Sequence, residues 1–246
     1  MLRERISTSR YSFFDKLKSI DYFLILIVIL IGVISVFAIY STESGSFSYY
    51  TKNHLIRLLV FFSMFLVLSF VRISVWYRNA YFFYLLGLAL LILVIFFGIT
   101  ASGSQRWLNL YFINLQPSEL AKVGIVLFLS KYYHRISYSN VSRIKFLILP
   151  ILVLLIPVFF VIRQPDLGTA LLIIAGGVIM LWLAGLSMKY FFYSVIFLLT
   201  ITPVFITFLK PYQKARILSF FDPERDPLGA GYQVIQSKIA IGSGGV

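Results

Sequence analysis

Residues 20–40 read IDYFLILIVILIGVISVFAIY, with one acid, Asp21, at the start and no charge behind it. At about 1.5 Å of rise per helical residue the run reaches roughly 30 Å, the thickness of a bilayer's hydrocarbon layer. Arg3, Arg5, Arg10, Lys16 and Lys18 precede it, as in a signal peptide, but the run is too long for a signal h-region and has no A-x-A-like exit. It reads as an uncleaved first membrane helix. Outward from it the same pattern returns near 55–72, 80–99, 117–133, 145–162, 168–186 and 189–209. A membrane β-barrel would need short strands of alternating polarity, whereas these runs are continuous. The expected fold is all-α: a polytopic helical membrane protein with about seven transmembrane helices, in a single integral membrane domain over residues 1–246.

Composition points the same way. Of 246 residues, 60% are hydrophobic and 13% charged, about half the charged share of an ordinary soluble domain. One core of this size could not hide that much apolar surface, so the excess must face lipid. There is no cysteine, which excludes disulfides and thiolate metal sites. His54 and His134 are the only histidines, too few for a multi-histidine metal centre. A net charge of +13 would suit nucleic acid if the cations formed one stripe. They lie instead between the apolar runs, as topology signals and contacts to membrane lipids, and no nucleic-acid partner is expected.

The distribution of those cations sets an orientation. With the N-terminus in the cytoplasm, the inner segments hold the five N-terminal cations, then Arg72 and Arg78, then Lys131, Arg135, Arg143 and Lys145, then Lys189. The outer connections hold Lys52, Arg106 and Arg163, with Arg57 at a helix end. Positive residues favour the inside, so seven crossings leave residues 210–246 outside. This tail differs in kind: it is polar and carries Lys210, Lys214, Arg216 and Lys238 beside Asp222, Glu224, Arg225 and Asp226. Topology does not require so many cations there, so a chemical reason is expected.

Within the tail, two Asp-Pro pairs, Asp222-Pro223 and Asp226-Pro227, stand four residues apart. A residue before proline is pushed out of the α region, and Gly229 and Gly231 permit tight turns. A fixed, non-helical loop presenting carboxylates at the membrane surface is expected. A positioned carboxylate can act as a general base, and Arg216 and Lys214 suit an anionic substrate or leaving group. The same residues also read as an acidic turn whose Asp side chains cap its own backbone.

Three further clusters face outward. Gln116-Pro117-Ser118-Glu119-Leu120-Ala121-Lys122 opens the fourth helix, with proline in the first turn and an acid near the N-terminus. Glu119 and Lys122, three apart, share a face and can pair. They could line a cavity, or be a helix-start acid and a snorkelling lysine. Ser104-Gln105-Arg106-Trp107 precedes a short amphipathic stretch, Leu108 to Leu115, expected in the interface. Arg163-Gln164-Pro165-Asp166 joins the fifth and sixth helices. Arg106 or Arg163 could grip a phosphate or anchor the chain at the headgroups. The acids form no cluster that specifies a metal site, so no cofactor is assigned, although a divalent cation such as Mg or Mn could assist a diphosphate.

The strings RQPDLGTAL (163–171), LQPSELAK (115–122) and DPERDPLGAGYQVIQSKIAIGSGG (222–245) resemble the shape, elongation, division and sporulation (SEDS) family, and most closely its rod-elongation branch. The resemblance runs over nearly the whole chain. It implies the N-terminal part of a ten-helix peptidoglycan glycosyltransferase of the bacterial cytoplasmic (inner) membrane, polymerising lipid II into glycan strands during cell elongation. It implies a class B penicillin-binding protein as partner, lipid II and the growing strand as substrates, and residues 210–246 as the start of a large extracytoplasmic loop. Family chains continue past the GSGG motif, so a C-terminal truncation is expected. By position, Asp226 matches the family's essential loop aspartate. Division members tend to have asparagine at the position of Asp222, which is assigned to the turn. Arg216, Glu119, Lys122, Arg106, Gln164 and Asp166 also fall on family positions, and Arg163 stands beside them as a phosphate ligand. The resemblance implies an inverting displacement of polyprenyl diphosphate, with Asp226 as base. Two other classes remain open: a lipid II flippase with a polar path through Glu119 and Lys122, and a non-catalytic scaffold for the penicillin-binding partner.

Overall fold

A computed structural model describes residues 17–18, 20–101, 104–109, 114–209, 211–229 and 231–243. It divides into two compact units, 1–80 and 81–246, and is helical nearly throughout. The helices are α1 (Tyr22–Thr42), α2 (Tyr49–Ser69), α3 (Ile73–Phe97), α4 (Pro117–Tyr133), α5 (Ile144–Arg163), α6 (Leu167–Leu183), α7 (Met188–Thr207), α8 (Pro211–Phe221) and α9 (Tyr232–Ser243). Between α3 and α4 lie three short strands, β1 (Ile99–Ala101), β2 (Ser104–Asn109) and β3 (Asn114–Leu115), paired antiparallel in that order.

α1 through α7 follow the seven apolar runs. Their outer faces are apolar and bare: Phe23 is 71% exposed, Ile34 67%, Phe96 73% and Leu199 70%. A water-soluble fold does not expose such continuous faces; this is the lipid-facing surface of a polytopic helical membrane protein. Among the described residues four helices, α1, α2, α3 and α5, have the length and composition of a full span. α6 and the described part of α7, Met188–Val204, are shorter apolar helices. α4 has 17 residues and carries Glu119 and Lys122 in its first two turns.

Two expectations shift. α2 and α3 begin nearly two turns earlier than the apolar runs, because helix continues through polar residues such as Lys52, His54 and Arg78. Of the stretch Leu108 to Leu115, the ends belong to β2 and β3, paired in register with Leu108 opposite Leu115, and residues 110–113 lie outside the described residues. The tail is largely helical, with α8 and α9 flanking the expected loop.

In the first unit α1 and α2 form an antiparallel hairpin. Asp21 caps α1 by accepting the Leu24 N–H at 3.0 Å. Gly32 lets the Leu58 side chain approach to within contact of its backbone. The Ser35 hydroxyl donates to the Gly32 carbonyl at 2.7 Å, so its 2.9 Å contact with His54 Nε2 is a bond it accepts. The Glu43 carboxylate closes the far end, accepting the Tyr50 and Thr51 N–H groups and the Thr51 hydroxyl.

In the second unit α4 packs on α3, α5 and α6 around a core that includes Leu91, Leu129, Val141 and Val161. The α3–α4 contact is made by small residues. A Cβ at Gly87 would lie 2.9 Å from Ala121 Cα, and one at Gly124 would lie 2.9 Å from Tyr84 Cα and from the Phe83 carbonyl oxygen. Backbones approach this closely only where side chains are missing. Pro150 and Pro157, both fully buried, sit within α5, where each removes a helical N–H donor. These contacts hold the N-terminus of α4 against β2 and near the α5–α6 turn.

Candidate functional site

The α5–α6 turn is built by its own side chains. α5 ends at Arg163, and Asp166 caps α6 by accepting the Thr169 N–H at 3.2 Å and the Thr169 hydroxyl at 2.9 Å. Asp166 and Thr169 are buried, at 7% and 8% exposure. Arg106 reaches in from β2, its Nη1 donating to Asp166 Oδ2 at 3.2 Å. A partly buried arginine is thereby neutralised by an acid already ordered by its cap bonds, the geometry in which an ion pair holds without loose side chains. Gln164 turns inward, 3% exposed, and donates from Nε2 to the Leu91 carbonyl at 3.0 Å. It ties the turn to α3 rather than facing outward. Arg163 is exposed, its guanidinium 5.2 Å from the centre of the Phe159 ring.

α4 starts with proline in its first turn, the acid Glu119 behind it, and Lys122 one turn later. Lys122 Nζ donates to Glu119 Oε1 at 2.8 Å, the side chains being 29% and 57% exposed. β2 packs against this helix. Two buried polar atoms lie in these elements without a hydrogen-bond partner among the described residues: Arg106 Nε and Ser118 Oγ. Buried donors are nearly always satisfied, and both atoms are closed off from the surface in this structure.

Residues 222–229 are non-helical apart from a short 3-10 turn, Pro223–Arg225, which packs against both α8 and α9. Asp226 is exposed. Its Oδ1 accepts the Gly229 N–H at 3.1 Å, and its carbonyl accepts from Gly229 and Gly231 at 3.3 and 3.0 Å. A Cβ on Gly229 would overlap the Asp226 carboxylate, and one on Gly231 would overlap the Pro223 carbonyl oxygen. Of the two Asp side chains that the sequence reads as able to cap this turn, Asp226 makes the bond. Asp222 makes no side-chain cap bond and is exposed. Arg216 lies on α8 with its side chain outside the described residues. Lys214 bonds the Thr207 carbonyl at the end of α7 at 3.4 Å, where a cation meets the negative end of a helix.

The structure thus joins Arg106 to Asp166 and Glu119 to Lys122; among the described residues neither pair bonds Asp226. Thr169, which holds Asp166, was missed by sequence reasoning, although the Asp-x-x-Thr spacing is a capping signal. Among the described residues no three of His, Cys, Asp and Glu gather to hold a metal.

A sequence model of the cell cycle protein family FtsW/RodA/SpoVE matches residues 18–246. Similar curated proteins include the probable peptidoglycan glycosyltransferase FtsW of Buchnera aphidicola subsp. Baizongia pistaciae, 31% identical over 198 residues, covering 80% of this chain and 52% of that protein. The peptidoglycan glycosyltransferase MrdB of Escherichia coli K12 is 33% identical over 243 residues, covering 97% and 64%. The chain therefore spans between about half and two thirds of these relatives. Among solved structures, a chain of a peptidoglycan synthase complex that coordinates polymerization and crosslinking superposes with a TM-score of 0.78 at 33% identity, over 93% of this chain and 67% of that one. The rod shape determining protein RodA of Thermus thermophilus gives 0.64 at 25% identity, over 74% and 60%.

Proposed function

This chain belongs to the FtsW/RodA/SpoVE family of cell cycle proteins, and we propose that it forms the N-terminal part of a peptidoglycan glycosyltransferase polymerising lipid II into glycan strands. The names of its relatives support the reaction class. The observation that carries the reading onto this chain's own residues is the 222–231 loop. It holds one exposed carboxylate, Asp226, against a backbone N–H in a turn whose glycines leave no room for side chains.

The donor sugar is α-linked to a polyprenyl diphosphate and the new bond is β, so direct displacement with inversion needs one base. Asp226 takes the proton of a GlcNAc 4-hydroxyl as that oxygen bonds the anomeric carbon of MurNAc. The bond from that carbon to the diphosphate breaks, and polyprenyl diphosphate leaves. Arg216, Lys122, Arg106 and Arg163 offset the charge developing on it. Glu119 and Asp166 act by holding Lys122 and Arg106, and Gln164 by fixing the turn. A divalent cation, Mg or Mn, would belong to the diphosphate, since the described acids do not form a site for one alone. The reading places the protein in the bacterial inner membrane with residues 210–246 outside, beside a class B penicillin-binding protein that crosslinks the product.

The test is polymerisation of labelled lipid II by the purified full-length protein with that partner. Asp226→Asn keeps an acceptor for the Gly229 N–H, so the loop should persist while the base is lost. About a 10²–10⁴-fold fall in rate is expected, with lipid II binding retained. Asp222→Asn should be milder. Near-normal glycan from Asp226→Asn would sink the assignment, and a dead Asp222→Asn beside it would move the base there.

A further inference from the structure

At the end of the first hairpin opposite Glu43, where α1 begins and α2 ends, lies a crevice of about 390 Å³. Leu24, Ile25 and Phe65 line it, and Asp21, Ser69 and Arg72 supply its polar groups. Asp21 gives Oδ1 to the α1 cap, and among the described residues its Oδ2 has no bond. Arg72 is exposed and, among the described residues, pairs with no acid. The Ser69 hydroxyl is turned away to the Leu66 carbonyl at 2.7 Å. An acid and an arginine thus share one apolar crevice without neutralising each other.

We propose that this crevice binds the headgroup of a zwitterionic phospholipid bearing a primary ammonium, of the phosphatidylethanolamine class. Unpaired ions at the edge of hydrocarbon are costly, and a zwitterion satisfies both without adding net charge. The guanidinium matches the phosphate's paired oxygens. The free carboxylate oxygen accepts N–H donors, which a quaternary ammonium lacks. An anionic lipid would satisfy Arg72 but meet the negative charge of Asp21. The acyl chains continue along the exposed apolar faces of α1 and α2, and the volume lies within the usual range of small-ligand sites, about 300–1,000 Å³. The site is independent of the catalytic reading.

The experiment is native mass spectrometry of the purified detergent-solubilised protein, offered equal amounts of phosphatidylethanolamine, phosphatidylcholine and phosphatidylglycerol. The protein should retain phosphatidylethanolamine over the other two by roughly tenfold, the worth of one charge-assisted hydrogen bond. Arg72→Ala should lower retention of all three lipids, because it removes the phosphate contact they share. Asp21→Asn preserves the helix cap, because asparagine caps as well as aspartate, and should shift retention toward phosphatidylglycerol. Ratios within one sample do not depend on how much protein folds. Equal retention of the three lipids, or an unchanged ratio in Asp21→Asn, would overturn the proposal.

Discussion

Glu43 shows how a single side chain can carry a connection. Its carboxylate is held well below the ordinary 4.5, to about 2, first by the Ser48 hydroxyl and then by that of Thr51, with backbone N–H bonds from Thr51 and Tyr50 adding to them. A carboxylate whose folded value is depressed stabilises the fold fully above its unfolded value, and that contribution is lost as pH falls from about 4.5 through 2. The thermal midpoint of Glu43→Ala in detergent should therefore lie below that of the unaltered protein at pH 7. The two should converge as the pH approaches 2; a gap independent of pH would show that the carboxylate's charge is not what matters. The Glu119–Lys122 bond is a different case. With the acid 57% exposed, the pair itself is worth no more than about 1 kcal/mol, and its value lies in aiming Lys122. Glu119→Gln and Lys122→Met should each slow polymerisation, and the double variant should be less harmful than their product. The expected coupling is about 0.5–1 kcal/mol, whereas strict additivity would mean two unrelated roles.

The element that positions the candidate site is α4, and its seat on α3 depends on missing side chains. Gly124→Ala would drive a Cβ to 2.9 Å from two backbone atoms that cannot rotate away, an overpacking worth about 1–3 kcal/mol. Gly176 on α6 meets nothing within 4 Å, so Gly176→Ala should be neutral or stabilise by up to about 1 kcal/mol through helix propensity. Thermal unfolding of the two variants separates packing from propensity; equal shifts would contradict the close α3–α4 approach. These contacts mark where the sequence stops being legible. Hydropathy located seven helices because apolar length is a direct measure of membrane depth, but it reports depth rather than helicity. It therefore placed the start of α2 after Lys52 and His54, and it left α8 and α9, which are polar, as tail. Glu119 with Lys122 was read because one helical turn separates them; Asp166 with Thr169 has the same spacing but was missed. Arg106 and Asp166 stand sixty residues apart, and only the packing of β2 beside the α5–α6 turn brings them together. That the cap bond in this loop falls to Asp226 and not to Asp222 was equally hidden, since both precede proline and both offer the same acceptor.

For the whole molecule the open physical question is which helices cross the bilayer. α4 and α6 have 17 residues each, roughly 26 Å at helical rise, against about 30 Å of hydrocarbon. Tilt is not needed by such short helices; local thinning and snorkelling of flanking residues can close the difference at modest cost. For α4 the first turn with Glu119 then lies at the headgroups, and Lys122 reaches back to them. All seven helices should cross, with the N-terminus in the cytoplasm. The cysteine-free chain lets single cysteines report this in spheroplasts with a membrane-impermeant maleimide. Ser139 and Leu228 are exposed, Leu228 by 90%, and so is Met188, by 65%; Ser219 is buried and would be a poor reporter. Seven crossings predict labelling from outside at Leu228 alone. If α6 and α7 dipped in and returned, Met188 at the tip of their hairpin would resist the reagent even after the membrane is permeabilised, whereas seven crossings expose it to the cytoplasm. If α4 failed to cross, Ser139 would be labelled and Leu228 would not, which would place Asp226 in the cytoplasm, away from any substrate assembled on the outer face.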